Sequence, residues 1–379
     1  MTPGAVDDVF VVGFTVFVVA FVILLVLTVR FIVRQGRAAR RDWLAERGDL
    51  ADVEADESGA SGPVTALVLS GGGTRGAVQV GMLQVLAEGG YVPDRIYGAS
   101  VGAVNGAAFA GDPTVGGVEH LTEIWRGLRS EDVYPQKLGH GPWRFLQQRE
   151  SMHPNSGLRK IIEDGITFDR LEDAEVRIEV VTTSIVDGRE RWLTSGPAGE
   201  AVLASAAIPA IFPPVELDGD RLIDGAVVDN VPISRAIDAG CTRIVVLLCG
   251  SPDYTPMPTK RPVEAMLNAL LISVHARFVR EISRLPVGVE VVVCSAGATT
   301  SRDYTDFSET EALMAAGRAE ALDVLVRHGV IPAPPKEEAP PAAPEVVDAG
   351  GADDVEGDEV GGSTVAADEG TPSPEGAGA

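Results

Sequence analysis

The chain has 379 residues, 45% of them hydrophobic, enough to bury one large core once an apolar start and a polar end are set aside. Its formal charge of -24, from 31 basic and 55 acidic side chains, excludes a nucleic-acid ligand, whose phosphates need a basic face. Three cysteines, Cys241, Cys249 and Cys294, lack C-x-x-C spacing and suggest neither a disulfide framework nor a zinc site, so they read as small buried hydrophobes.

Residues 9–29 form a run without a charge, long enough at about 1.5 Å per residue to cross roughly 30 Å of hydrocarbon. The preceding segment, 1–8, carries Asp7 and Asp8 where a cleaved signal peptide would have basic residues. Arg30, Arg34, Arg37, Arg40 and Arg41 crowd the other flank, and such clusters stay on the cytoplasmic side. The expectation is one transmembrane helix at a cell membrane, with the N-terminus outside and the rest cytoplasmic. Residues 30–63 then read as a basic juxtamembrane segment and an acidic linker rich in small residues. A single domain is expected over residues 64–332. From 333 to 379 the chain is Pro, Ala, Gly and acidic residues, too poor in large apolar side chains to offset the entropy of ordering. Acidic residues are spread along the whole chain and lysines number four (Lys137, Lys160, Lys260, Lys336), which fits a high-salt cytoplasm as well as plain compositional bias.

Inside the expected domain, residues 65–69, 95–97, 179–183, 243–249 and 289–294 are short runs rich in Val and Ile and read as strands. Helical patterns over 78–88, 101–110, 118–128, 158–165, 262–282 and 308–328 alternate with them. A hairpin is expected around Asp218-Gly219, between 215–217 and 221–223. The alternation predicts an α/β fold, a mainly parallel central sheet with flanking helices.

Three motifs fall where such folds bind ligands, outside the carboxyl ends of strands. Ser70-Gly71-Gly72-Gly73-Thr74-Arg75-Gly76 follows the first strand, and its glycines let backbone N–H groups face an anion, a phosphate or a transition-state oxyanion. Its spacing also fits a dinucleotide fingerprint, but Asp94, the acidic residue nearest the required distance, precedes the second strand and so sits at the wrong end to reach a ribose. Gly98-Ala99-Ser100-Val101-Gly102 follows that second strand and opens a helix, the setting of a nucleophile elbow, with Ser100 as nucleophile and Gly98 and Gly102 permitting the turn. A serine needs a base. None of His120, His140, His153, His275 and His328 follows a strand as a triad histidine would. Asp224, in Asp224-Gly225-Ala226 at the end of the hairpin, is the alternative, with Asp229 as its local competitor.

Together these motifs resemble the patatin-like phospholipases, a family marked by a GGGxRG loop, a GxSxG elbow and a DG[GA] aspartate in that order. The likeness runs from about Val64 to about Arg327 and includes the stretch Ser205-Ala206-Ala207-Ile208-Pro209-Ala210-Ile211-Phe212-Pro213-Pro214. It implies a three-layer fold, Ser100 as nucleophile and Asp224 as base. The oxyanion hole falls in the loop Gly71 to Gly76, through the amides of Gly72, Gly73 and Thr74 with Arg75 nearby. It further implies a phospholipase A-type serine lipid acyl hydrolase working through an acyl-enzyme on a membrane lipid or other acyl ester, without metal or organic cofactor. An esterase or thioesterase of soluble acyl compounds, and an inactive membrane-bound binding protein on the same fold, are the rivals.

Overall fold

The computed structural model describes residues 63–135, 151–253, 262–296 and 306–334. The apolar run 9–29, its flanks up to residue 62, and the tail from 335 lie outside them, and so does His140. Among the described residues no helix is long and apolar enough to cross a membrane.

The strands are β1 (Thr65–Leu69), β2 (Arg95–Gly98), β3 (Arg177–Ser184), β4 (Glu190–Leu193), β5 (Val215–Leu217), β6 (Asp220–Asp224), β7 (Arg243–Leu248) and β8 (Glu290–Ser295). They join one sheet in the order β5-β6-β3-β2-β1-β7-β8, with β4 on β3. The five strands β3-β2-β1-β7-β8 are parallel to one another. β4, β5 and β6 are antiparallel to their partners, so the expected mainly parallel sheet is a mixed one. The hairpin accounts for part of the difference: Asp218 and Gly219 both hold positive φ, the geometry of a tight turn that reverses the chain at once.

Successive residues of the central strands point to opposite faces, as a pleated strand requires. Leu67 and Leu69 of β1 and Val245 and Leu247 of β7 enter one core, whereas Ala66, Val68, Ile244 and Val246 enter the other. The first core is covered by α1 (Gly76–Glu88), α2 (Val101–Gly111), α3 (Val115–Gly127), α4 (Ser156–Gly165) and α5 (Ala198–Ser205), with α8 (Thr310–Arg327) packed on α1. The second is covered by α6 (Ile233–Asp238) and α7 (Pro262–Ile282), through Ile233, Ala236 and Phe278. Three layers result. All three cysteines are buried and free.

Sheet register brings the candidate residues to one height. Gly98 of β2 lies opposite Val180 of β3, and Thr182, two residues on, lies opposite Asp224 of β6. Ser100, two residues beyond Gly98, is therefore carried level with Asp224 across a single intervening strand.

Candidate active site

The chain leaves β2 at Gly98 and enters α2 at Val101, and Ser100 makes the turn with φ 54° and ψ -127°. A side chain at positive φ stores of order 1–3 kcal/mol of strain, which persists only where the surroundings over-determine it. They do so here. Ala99 N–H donates to Leu69 O at 3.2 Å, Gly102 N–H donates to Ala99 O at 2.8 Å, and Ser100 N–H donates to Ser205 Oγ at 3.0 Å. A Cβ on Gly102 would lie 2.3 Å from Leu69 O, and one on Gly98 2.6 Å from Ala103 Cα, so neither flank accepts a side chain.

Ser100 Oγ donates to Asp224 Oδ2 at 2.6 Å. Both residues are buried. Asp224 ends β6, with its N–H donating to Ala207 O and its carbonyl accepting from Thr183 Oγ1 at 2.9 Å. Its other carboxylate oxygen, Oδ1, accepts from Ala226 N–H at 2.8 Å. Gly225 lies so close to β3 that a Cβ would meet Val181 O at 2.1 Å. Burial pushes the Asp224 carboxyl up to about 7, against the opposing pull of the bonds from Ser100 and the Ala226 amide.

Asp229 is also buried, but it faces Arg277 of α7, whose Nη2 lies 2.8 Å from its Oδ2. Burial pushes its carboxyl up to about 8, opposed by Arg277 and reinforced by Glu281 and Glu190. It braces the Asp224 loop, a task shared by Arg277, which also donates to Val228 O. The described histidines do not line the cleft at Ser100. His120 Nε2 meets Asp164 O at 3.0 Å on the surface, His153 packs edge-on against Tyr134, and His328 caps α8.

The glycine loop divides into amides already used and amides still free. Gly71 N–H donates to Asn230 O at 3.2 Å, Arg75 N–H to Gly72 O at 3.3 Å, and Gly76 N–H to Gly73 O. These three amides are engaged within the protein. The amides of Gly72, Gly73 and Thr74 have no partner among the described residues. Arg75 turns its Nε to Gly72 O at 3.4 Å and thus braces its own loop. A buried network ties this loop to the nucleophile helix. Gln79 Nε2 donates to Ser70 O and Leu247 O, Asn105 Nδ2 to Gly76 O and Gln79 Oε1, and Trp125 Nε1 to Asn105 Oδ1, all at 2.9–3.0 Å.

Two contributors escape sequence reasoning. Ser205, at the end of the unexpected helix α5, holds the Ser100 amide, and only its place in the stretch before Asp224 hinted at it. The Val101 N–H at the start of α2 is unpaired among the described residues and adds a helix N-terminus beside Ser100. Its signal was its position directly after the nucleophile.

Beside Ser100 an apolar cleft opens between α2, α3 and α4, with about 720 Å³ of atom-free space counted to its open mouth. Gly73, Thr74, Val104, Trp125 and Phe212 are on its wall. The arrangement can deprotonate a serine hydroxyl onto a carboxylate next to free amide donors and an apolar recess.

The sequence model of the patatin-like phospholipases matches residues 67–237. Lysophospholipase NTE1 of Candida glabrata is 32% identical over 206 residues, covering 52% of this chain and 11% of its own length. An uncharacterized NTE family protein of Mycobacterium bovis is 30% identical over 226 residues, 58% of this chain and 59% of its own. The chain thus spans only a small part of the fungal relative. Among solved structures, VipD from Legionella pneumophila superimposes with a TM-score of 0.42 at 17% identity, over 70% of this chain and 67% of that one.

Proposed function

From a chain that carries a patatin-like phospholipase domain, we propose a serine lipid acyl hydrolase in which Ser100 is the nucleophile and Asp224 its base. The observation that carries this is the direct 2.6 Å bond from Ser100 Oγ to a buried carboxylate at the mouth of an apolar cleft. Ser100 Oγ attacks the ester carbonyl as its proton passes to Asp224 Oδ2. The carbonyl oxygen takes the charge and meets the amides of Gly72, Gly73 and Thr74, donors of a kind typically worth about 3 kcal/mol each. Asp224 returns the proton to the leaving alcohol as the C–O bond breaks. Water then gives a proton to Asp224 and attacks the acyl-enzyme, and as the bond to Ser100 Oγ breaks Asp224 returns that proton to Ser100, releasing the fatty acid. A carboxyl near 7 suits this traffic, because a base works best when its affinity for the proton lies near the operating pH.

The apolar wall favours a fatty acyl ester over a small soluble one. The run 9–29 is proposed as a membrane anchor that leaves residues 64–332 on the cytoplasmic side as the catalytic domain. Tethering would then hold Ser100 at high effective concentration over its lipid.

Labelling the full chain with a fluorophosphonate, alongside hydrolysis of lysophospholipid, phospholipid and acyl thioester, tests the proposal. Label at Ser100, lost in Ser100→Ala, with turnover of the lipid esters is expected. Turnover of the thioester alone transfers the role to a thioesterase, and a folded protein that takes no label is a binding protein. Protease protection of residues 64–332 in inverted membranes tests the anchor, and an exposed domain there is the expected result.

A further inference from the structure

Six residues after Asp224 the chain returns to the nucleophile at Asn230. The Asn230 carbonyl accepts the Gly71 N–H at 3.2 Å, which ties the end of the aspartate loop to the start of the glycine loop. Its side chain comes to the same place. A Cβ built on Gly71 would lie 2.4 Å from Asn230 Oδ1, 3.0 Å from Ser100 Cβ and 3.3 Å from Ala226 Cβ. Only glycine at 71 lets the carboxamide settle there, beside the nucleophile and the residue whose amide holds Asp224 Oδ1. The carboxamide is half-buried, and neither of its terminal atoms has a hydrogen-bond partner among the described residues. Asn105, by contrast, spends both of its own on Gly76, Gln79 and Trp125. A carboxamide both donates and accepts, and partly burying one without partners is unfavourable unless a ligand or water completes it.

Gly71, Ala226 and Asn230 are not on the wall of the apolar cleft, whereas Ser100 belongs to both regions. An ester bound at Ser100 has two arms. The apolar cleft suits the acyl arm, which leaves the polar corner for the alcohol. Proton transfer asks for the same placement: Asp224 Oδ2, 2.6 Å from Ser100 Oγ, must reach the leaving oxygen, and Asn230 stands on the loop that Asp224 opens. We propose that the Asn230 carboxamide is a subsite for the leaving alcohol and selects esters of a polyol, in which the carbon next to the esterified one carries a free hydroxyl. This rests on Ser100 and Asp224 being the catalytic pair. The hydroxyl meets a side chain that both donates and accepts, so it keeps a hydrogen bond on leaving water. A plain alkyl alcohol in its place shuts the carboxamide off from water without a partner and is disfavoured.

The test uses the full chain with propyl dodecanoate and 2-hydroxypropyl dodecanoate in one detergent, a pair that shares its acyl chain and differs by a single hydroxyl. After correction for their rates of alkaline hydrolysis, kcat/KM should be about tenfold higher for the hydroxylated ester, the worth of a hydrogen bond that the other cannot make. Two variants remove the carboxamide, Asn230→Ala by truncation and Asn230→Leu at nearly constant volume. In either, the ratio should fall close to unity. A general loosening of the site slows both esters together and leaves their ratio in place, so the ratio reads the contact itself. Equal rates on the two esters in the parent, or a preference that survives in either folded variant, overturns the subsite while fluorophosphonate label at Ser100 keeps the nucleophile. No hydrolysis of either ester and no label overturns both.

Discussion

At the scale of single residues the proposed chemistry depends on one proton. Asp224 accepts only when ionised, so kcat/KM should rise with pH and level off above about 7, a profile that a series of buffers at constant ionic strength would read. The same carboxyl couples to stability. Its folded affinity for the proton exceeds the ordinary value of 3.8, so its contribution is complete below about 4 and is lost as pH rises to about 7. Asp224→Asn removes that loss. The variant should gain stability relative to the parent as pH rises through this window while turnover falls at least a hundredfold, and a pH-independent difference in urea midpoint would mean the carboxyl is not perturbed. Ser205→Ala removes the bond that holds the Ser100 amide. It should lower kcat about tenfold with little change in KM, and fluorophosphonate labelling should slow in step. Ser100 stood out as a candidate through its strand-turn-helix setting, whereas Asp224 became one only through the order of the three motifs together, since Asp-Gly alone is a common turn. Ser205 was not one, because nothing in a Ser-Ala-Ala run states which amide its hydroxyl will meet.

At the scale of elements, the site is held by the link between α1, α2 and α3. Asn105 is fully buried and serves three partners, Gly76 O, Gln79 Oε1 and Trp125 Nε1. Asn105→Ala leaves them unpaired and should cost about 3 kcal/mol in a urea titration, since each orphaned buried group carries a desolvation penalty of roughly 1–3 kcal/mol. The loop bearing the Gly72, Gly73 and Thr74 amides should loosen with it and lower kcat. The parallel strands and long helices were readable from apolar runs, and 262–282 was found to the residue. β4, α5 and α6 were not. β4 is a four-residue strand of mixed character, Glu-Arg-Trp-Leu, that owes its extended form to pairing with Val180 to Thr183. α6 has six residues, too few for a periodic pattern to declare itself.

For the whole molecule, the net charge of -24 means that compaction works against self-repulsion. Exposed pairs such as Arg126 with Glu123 and Glu311 offset little of it, because solvent screens them. The melting temperature should therefore rise from dilute buffer to molar KCl as the repulsion is screened. A flat or falling curve would show that the charge is a matter of composition alone. The proposed anchor makes a separate prediction: a chain without residues 1–62 should leave the membrane fraction and lose turnover on bilayers more than on micelles.

What the amino-acid sequence determined by itself was local: the α/β alternation, the strand-turn-helix around Ser100, the glycine loop and the aspartate that follows the hairpin. Each is set by near neighbours in the chain, through hydrophobic period and turn chemistry. The tertiary structure decided which groups meet. Sheet register, set by the packing of two cores, brings Asp224 onto Ser100, turns Asp229 away to Arg277, and spends the amides of Gly71, Arg75 and Gly76 inside the protein. The apolar cleft beside Ser100 lies between α2, α3 and α4, a fact of spacing between helices that no single segment records.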